Sequence, residues 1–338
     1  MILHHLTGGG QSLEPLAQAM PHPLYSIVRH GYMAVATFFV LSGFVLARSY
    51  ERTRWDGGSL YRYGVGRVAR IYPVYLLSLA MILPIILQDH EPRRNVFAGL
   101  YALMLQGWWP LPVGWNTPAW SLSCEIFFYM AFPAAIAAVR DFEWRGALAV
   151  AAASCVLTRA AFAVGLPDNI KPLVHLSDFL MGIAAARLYG LLIRGRRPAG
   201  AWLYGPGLLL GGAVLSYPAS LPKGLDLATA LRPLNALALV GLSLGGGLVA
   251  RWLSTRVAVY LGQSSYAMYI LHVPVLWWYR RWTHSFSPAL YVVAVIAISA
   301  LVYGLFEAPA NRWLRKRLAR ARAATGRPSA PEPLRSPA

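Results

Sequence analysis

Charge is what this chain has least of. Only 13% of its 338 residues are Asp, Glu, Lys or Arg, against 57% hydrophobic ones, and soluble domains hold roughly 25% charged residues. The shortfall excludes an ordinary soluble globular protein. Acidic residues are scarcest: 13 Asp and Glu stand against 31 Lys and Arg, a net charge of +18. In a soluble chain that excess would point to nucleic acid. Here the arginines lie between apolar segments and in the C-terminal tail, so no nucleic-acid partner is expected. Cysteine is nearly missing. Cys124 and Cys155 both fall inside apolar stretches, which excludes a disulfide framework, and two thiols give no zinc-ligand pattern, so no metal is expected. Residues 1–30 hold Gly8-Gly9-Gly10, three prolines and no apolar core, so no cleavable signal peptide is expected. No internal repeat and no second, soluble domain is visible.

What the chain has instead is long apolar runs. They predict membrane helices at about 32–49, 71–88, 120–139, 146–165, 173–193, 202–218, 233–250, 261–279 and 288–306, each near the ~20 residues that cross a bilayer. The stretch 96–108 is apolar but short, and reads as interfacial or re-entrant. The expected fold is all-α: a polytopic membrane helix bundle with nine complete spans, occupying residues 1–317. A basic, Pro/Ala-rich tail at 318–338 has a disordered composition.

The arginines orient the bundle. If the chain enters the cytoplasm after the first span, about two-thirds of the 31 basic residues fall on that side, as the positive-inside rule asks. Arg62, Arg67 and Arg70 are then cytoplasmic, as is the tail, whereas Arg232 is outside. Counting 96–108 as a span would invert the later loops and put Arg194-Gly195-Arg196-Arg197 outside. The localisation expected is the inner (plasma) membrane, multi-pass, with the C-terminus in the cytoplasm.

Ionisable residues inside these runs are the functional candidates, because a charge at the centre of a membrane helix is unfavourable by roughly 3 kcal/mol. Glu125 lies on the order of 8 Å inside the outer end of its helix. Asp178 has a similar depth, His272 is near the outer end of its span, and His5 is near the outer face. Four titratable groups at comparable depth could converge on one site, where a histidine paired with a carboxylate suits general-base work. The bland alternative is that each bonds a neighbouring helix. A second constellation, Arg62-Tyr63-Gly64-Val65-Gly66-Arg67-Val68-Ala69-Arg70-Ile71-Tyr72-Pro73, places arginines and tyrosines at a helix entrance. Guanidinium groups clamp phosphates bidentately, but an ordinary basic anchor with an aromatic belt has the same composition. The pair Ser42-Gly43 reads as a close helix contact rather than as a nucleophile. Tryptophans at Trp108, Trp109 and Trp115 suit sugar stacking and an interfacial belt equally well.

Six stretches together resemble the acyltransferase-3 family of integral-membrane O-acyltransferases: FFVLSGFVL at 38–46, RVARIYP at 67–73, WSLSCEIFFY at 120–129, FLMGIAAARL at 179–188, LGQSSYAMYILH at 261–272 and FEAPANRWL at 306–314. They run in family order. The resemblance implies about ten membrane helices and transfer of an acyl group, commonly acetyl or succinyl, from acyl-CoA to a hydroxyl. The acceptor it implies is a sugar, a polysaccharide or a secondary metabolite, and no resident metal is expected. The family's first helix carries an arginine and, eleven positions on, a histidine thought to be catalytic. His5 matches the histidine and the arginine has no counterpart, so the chain is expected to lack most of that helix.

By the same resemblance His5, Glu125 and His272 are the catalytic candidates, with Glu125 orienting His5. Arg67, Arg70 and Tyr72 are the expected contacts to the acyl donor. The rival readings are a transporter that uses the same ionisable groups as a pathway and an inactive truncated homologue.

Overall fold

The computed structural model describes residues 2–7, 19–109, 114–139, 144–164, 170–194, 232–245, 247–283, 286–314 and 317. Among them every regular element is helical. Apart from three short helical turns (Gln106–Trp108, Thr117–Ala119 and Lys171–Val174), they are in chain order α1 (Ile2–Thr7), α2 (His22–Arg29), α3 (Met33–Tyr50), α4 (Gly57–Gln88), α5 (Arg94–Ala102), α6 (Trp120–Ala138), α7 (Trp144–Ala163), α8 (Leu176–Arg194), α9 (Arg232–Leu244), α10 (Gly247–Leu253), α11 (Arg256–Trp282) and α12 (Pro288–Val302), the last running into a π-helical turn, Tyr303–Glu307. Five segments are long and apolar enough to cross a membrane: Met33–Tyr50, Gly57–Gln88, Thr117–Ala138, Lys171–Arg194 and Pro288–Leu314. The expected span at 202–218 and the tail at 318–338 lie outside the described residues.

Two boundaries differ from the sequence expectation. The span expected at 71–88 is the second half of a 32-residue helix, so Arg62, Arg67 and Arg70 are helical rather than at an entrance. The helix starts early because Asp56 and Ser59 form a reciprocal capping box, Ser59 N–H donating to Asp56 Oδ1 at 2.6 Å and Asp56 N–H to Ser59 Oγ at 2.8 Å. It is roughly 48 Å long and so overhangs a 30 Å apolar core. The expected span at 233–250 is two helices, parted at Gly245, whose φ of 78° is left-handed.

The chain divides into two compact units. The first comprises Met1–Glu51 and Ala134–Ser254. Here α8 packs on α3, α7 and α9, and the α3 contact has no room for side chains. A Cβ on Gly43 would stand 2.1 Å from the Phe179 carbonyl oxygen, and one on Gly182 would stand 2.0 Å from that of Val40. This is the close contact that Ser42-Gly43 suggested. Across α8 and α9, Arg232 Nε bonds Asp178 Oδ1 and His175 Nδ1 lies 2.8 Å from Asp178 Oδ2. Arg232 is 3% exposed and Asp178 1%. Arg232, expected in an outer loop, is therefore buried to neutralise a carboxylate that could not otherwise leave water.

The second unit comprises Arg52–Pro133 and Thr255–Ala338. Here α11 packs on α4 and α12, and the π turn packs on both α4 and α11. Aromatic donors fasten these helices to one another's carbonyls: Tyr266 to Ile71 at 2.7 Å, Trp278 to Met81 at 3.0 Å and Tyr75 to Tyr101 at 2.6 Å. Pro274 inside α11 cannot donate to the carbonyl four residues back, that of Ile270. Buried Asn116 does so instead, its Nδ2 lying 3.2 Å from that oxygen. Trp115 is not a surface platform: it is 5% exposed, its ring lies 5.4 Å from that of Tyr101, and its indole N–H donates to Asp89 Oδ2 at 2.5 Å. Trp109 by contrast is 54% exposed.

Two measurements check this architecture. Gly182→Ala forces a methyl group into backbone and is expected to destabilise by about 3 kcal/mol, the upper part of the overpacking range. Gly64→Ala, where a Cβ meets nothing within 4 Å, is expected to be neutral or stabilising by up to about 1 kcal/mol. Thermal midpoints from tryptophan fluorescence in detergent distinguish the two. The Trp115 hydrogen bond, helped by the Glu91 amide, holds the Asp89 carboxyl below its ordinary value of 3.8. Its contribution to stability is therefore present above that value and lost as the pH falls through the lower, folded one. Asp89→Asn is expected to shrink the drop in thermal midpoint between about pH 5 and about pH 3; an unchanged drop contradicts the assignment.

Candidate active site

The second unit gathers most of the candidate residues. On α4, Arg67 and Arg70 are three apart and share a face; on α6, Glu125 and Tyr129 are four apart and do the same. The Tyr129 hydroxyl donates to Glu125 Oε2 at 3.5 Å. Arg67 lies between aromatic rings, its Cζ 5.6 Å from the centre of Tyr129 and 5.9 Å from that of Tyr63, both within cation–π range. Tyr63 in turn stacks on Phe132 at 5.7 Å and meets the edge of Trp55 at 5.4 Å. Both guanidinium groups, Arg70 the more strongly, attract the Glu125 carboxylate.

This changes the expected division of the site. The acid was placed near the outer face and the arginines at the inner one, yet Arg67 touches the ring one helical turn from Glu125. The reason is the length of α4: its arginine turns are part of the membrane helix and run alongside α6 rather than standing below it.

α11 closes the cluster. Tyr266 lies in the field of both Glu125 and Glu307. Tyr269 lies in that of Glu125 and donates its hydroxyl to the Pro118 carbonyl at 3.0 Å. His272 stands on the next turn, 1% exposed. Its Nδ1 is 2.7 Å from the Tyr269 carbonyl oxygen and its own carbonyl accepts from Tyr291 at 2.8 Å. A carbonyl can only accept, so Nδ1 carries the proton and Nε2 is the acceptor nitrogen of the neutral ring.

The other candidates are Tyr72, His5 and Asp178. Tyr72 is two residues beyond Arg70, hence on another face of α4, where its ring meets that of Tyr75 at 6.4 Å. His5 belongs to the first unit, half-buried on α1 with the His4 ring 5.7 Å away. Asp178, also in the first unit, is accounted for there by Arg232 and His175.

Sequence reasoning missed Glu307. It is 2% exposed and one of its carboxylate oxygens, Oε2, has no hydrogen-bond partner, while Arg70 attracts it as it attracts Glu125. The signal was available: an acid one residue past an apolar run expected to end at 306. The expected span ended short of it, whereas the π turn and the helix after it carry the apolar segment on to Leu314. Among the described residues no three His, Cys, Asp or Glu side chains come together as a metal ion would require. The site is thus two acids, two guanidinium groups and several buried phenols, a set suited to binding a polyanion at one end and moving a proton at the other.

Comparison with known proteins narrows what such a site does. The acyltransferase-3 family model, described as an acyltransferase domain, matches residues 1–307. Acyltransferase MdmB of Streptomyces mycarofaciens is 32% identical over 340 residues, 87% of this chain and 84% of that protein. Protein 2 in picA locus, of Rhizobium radiobacter, is 44% identical over 52 residues, 15% of this chain and 27% of that protein. No solved structure matches the chain. A helical protein with several membrane-length apolar segments, matched by the family model over nearly all of its described residues, is not a carrier that happens to hold buried charges: the chain belongs to the acyltransferase-3 family and is a membrane acyltransferase of groups other than aminoacyl.

Proposed function

We propose that this acyltransferase takes an acyl group from acyl-CoA and places it on a hydroxyl of a sugar, a polysaccharide or a secondary metabolite. The observation that carries this reading is that Arg67 packs on the Tyr129 ring, one turn from Glu125, with Arg70 on the same face of α4. Coenzyme A is a polyanion joined by a neutral arm to a thioester. Exposed Arg70 suits its phosphates, since guanidinium binds phosphate bidentately. Half-buried Arg67, held over Tyr129, suits the interior end of the arm, where a cation opposes the negative charge that develops on the leaving sulfur.

In the reaction the acceptor oxygen attacks the thioester carbonyl, the carbon–sulfur bond breaks, and the hydroxyl proton leaves with a base and ends on the coenzyme A thiol. His5 is assigned as that base by its motif match. His272, with Nε2 as its accepting nitrogen, is assigned to hydrogen-bond a substrate hydroxyl. Tyr72 is kept as a contact to the acyl donor, reached from the neighbouring face of α4. The surrounding fold is read as a bundle of nine complete spans over residues 1–317, in the inner membrane, with the basic tail 318–338 in the cytoplasm; the distribution of arginines supports that orientation.

Release of free coenzyme A thiol from acetyl-CoA or succinyl-CoA, with glycan and macrolide acceptors, tests the reading. Arg70→Ala is expected to raise KM for the donor about tenfold to a hundredfold, the worth of one charge-assisted hydrogen bond to phosphate. His5→Ala is expected to lower kcat by about a hundredfold or more with KM little changed. Thiol release unaffected by both substitutions would remove the assigned roles. A wild-type protein that releases no thiol with any acceptor, yet acylates from another donor, would remove acyl-CoA.

A further inference from the structure

The reaction scheme leaves one buried acid without a task. Glu307 ends the π turn Tyr303–Glu307 and is 2% exposed. The turn widens here because Pro309 offers no N–H to the carbonyl of Leu305 and its ring crowds that oxygen. Packing then holds it. Tyr303 donates to Gln263 Oε1 at 3.0 Å and its ring meets that of Tyr260 edge-on at 5.5 Å. A Cβ on Gly304 would be 3.1 Å from the Tyr260 hydroxyl.

Hydrogen bonds along α11 fix the level of that turn against α4. Tyr266 and Trp278 donate to the carbonyls of Ile71 and Met81, so residue numbers on α11 and α4 rise together. Tyr291 and Tyr303 reach His272 and Gln263, so along the last segment they run the other way. That segment is therefore antiparallel to α4, and its π turn packs directly on it. Helical side chains lean toward the start of their own helix, and on antiparallel helices they lean toward each other. Glu307, one turn past Tyr303, leans back toward the level of Gln263. Arg70, one residue before Ile71, leans toward that level from the other side. The two charges converge: Arg70 is the guanidinium whose field acts on Glu307, and Tyr303 lies in the field of both.

With Arg70 assigned to the donor's phosphates, a nearby carboxylate has a definite effect. The phosphates are the same in acyl-CoA and in free coenzyme A, so affinity for them is equal before and after transfer and cannot favour the chemical step. A grip made of cations alone would hold the product as firmly as the substrate. A carboxylate beside the guanidinium competes with phosphate for it. We propose that Glu307 is a counter-charge to Arg70 that competes with the donor's phosphates and so keeps acyl-CoA and coenzyme A exchangeable. This role rests on the acyl-CoA reading and deepens it: exposed Arg70 alternates between a carboxylate buried in the protein and a phosphate that comes and goes.

Coenzyme A binding to the full chain in nanodiscs, at about pH 8 and so above the ordinary carboxylate range, tests it. Glu307→Gln keeps the volume and removes the charge. It is expected to tighten coenzyme A about fivefold, with slower dissociation, whereas replacing a residue that merely holds the fold would weaken it. Glu307→Met, apolar and of similar size, carries the test if the glutamine variant does not fold. In an Arg70→Ala background the same substitution is expected to change coenzyme A affinity by no more than about twofold, because the competition has lost its object. Unchanged or weakened binding in a folded neutral variant, or equal tightening with and without Arg70, overturns the counter-charge and leaves the donor reading standing. Wild-type protein that binds no coenzyme A overturns the acyl-CoA reading and the counter-charge with it.

Discussion

A polar group in the apolar part of this chain can leave water only if the protein supplies its partner, and that requirement shapes both units. In the first, it buries Arg232 against Asp178 and hangs His175 on the remaining carboxylate oxygen. In the second, it lends Asn116 to the carbonyl that Pro274 strands, sets Arg67 between two aromatic rings and opposes Arg70 to both Glu125 and Glu307. The arrangements look alike but differ in completeness. The Asp178 carboxylate has a partner on each oxygen. In the second unit, by contrast, Arg67 Nε and Glu307 Oε2 are buried without a hydrogen-bond partner.

Much of this was legible in the sequence, for reasons that differ by residue. Helices α3, α6 and α12 follow from apolar runs of bilayer length, and their starts fall within a residue or two of expectation. Ser42-Gly43 read correctly as a tight crossing because only small residues let two backbones approach so closely. The arginines of RVARIYP and the acid of WSLSCEIFFY stood out in the sequence because charge beside apolar sequence is costly enough to need a reason.

Depth was not legible. A hydropathy run locates where a helix becomes apolar, not where it begins, and the capping box at Asp56 lies fourteen or so residues ahead of that point. Placing Arg67 and Arg70 at a helix entrance therefore separated them from the α6 face of Glu125 and Tyr129, on which Arg67 packs. Pairing was equally hidden: nothing local to Asp178 or Arg232 says that one answers the other across 54 positions of chain, so the acid read as a possible catalyst and the arginine as a loop residue. Glu307 was lost to a single-turn irregularity, because a π turn has no period of its own in sequence.

The aromatic donors on α11 restrict how the second unit can work. Tyr266 and Trp278 grip α4 at Ile71 and Met81, carbonyls almost three helical turns apart. A slip of one residue between the helices would unfasten both grips together, in surroundings with no solvent to replace them. The pair behaves as a riveted plate rather than a sliding bolt. Entry to the cluster must then come from swinging side chains at its rim, above all that of exposed Arg70, so the residue we propose for the donor's phosphates is also the door the donor passes.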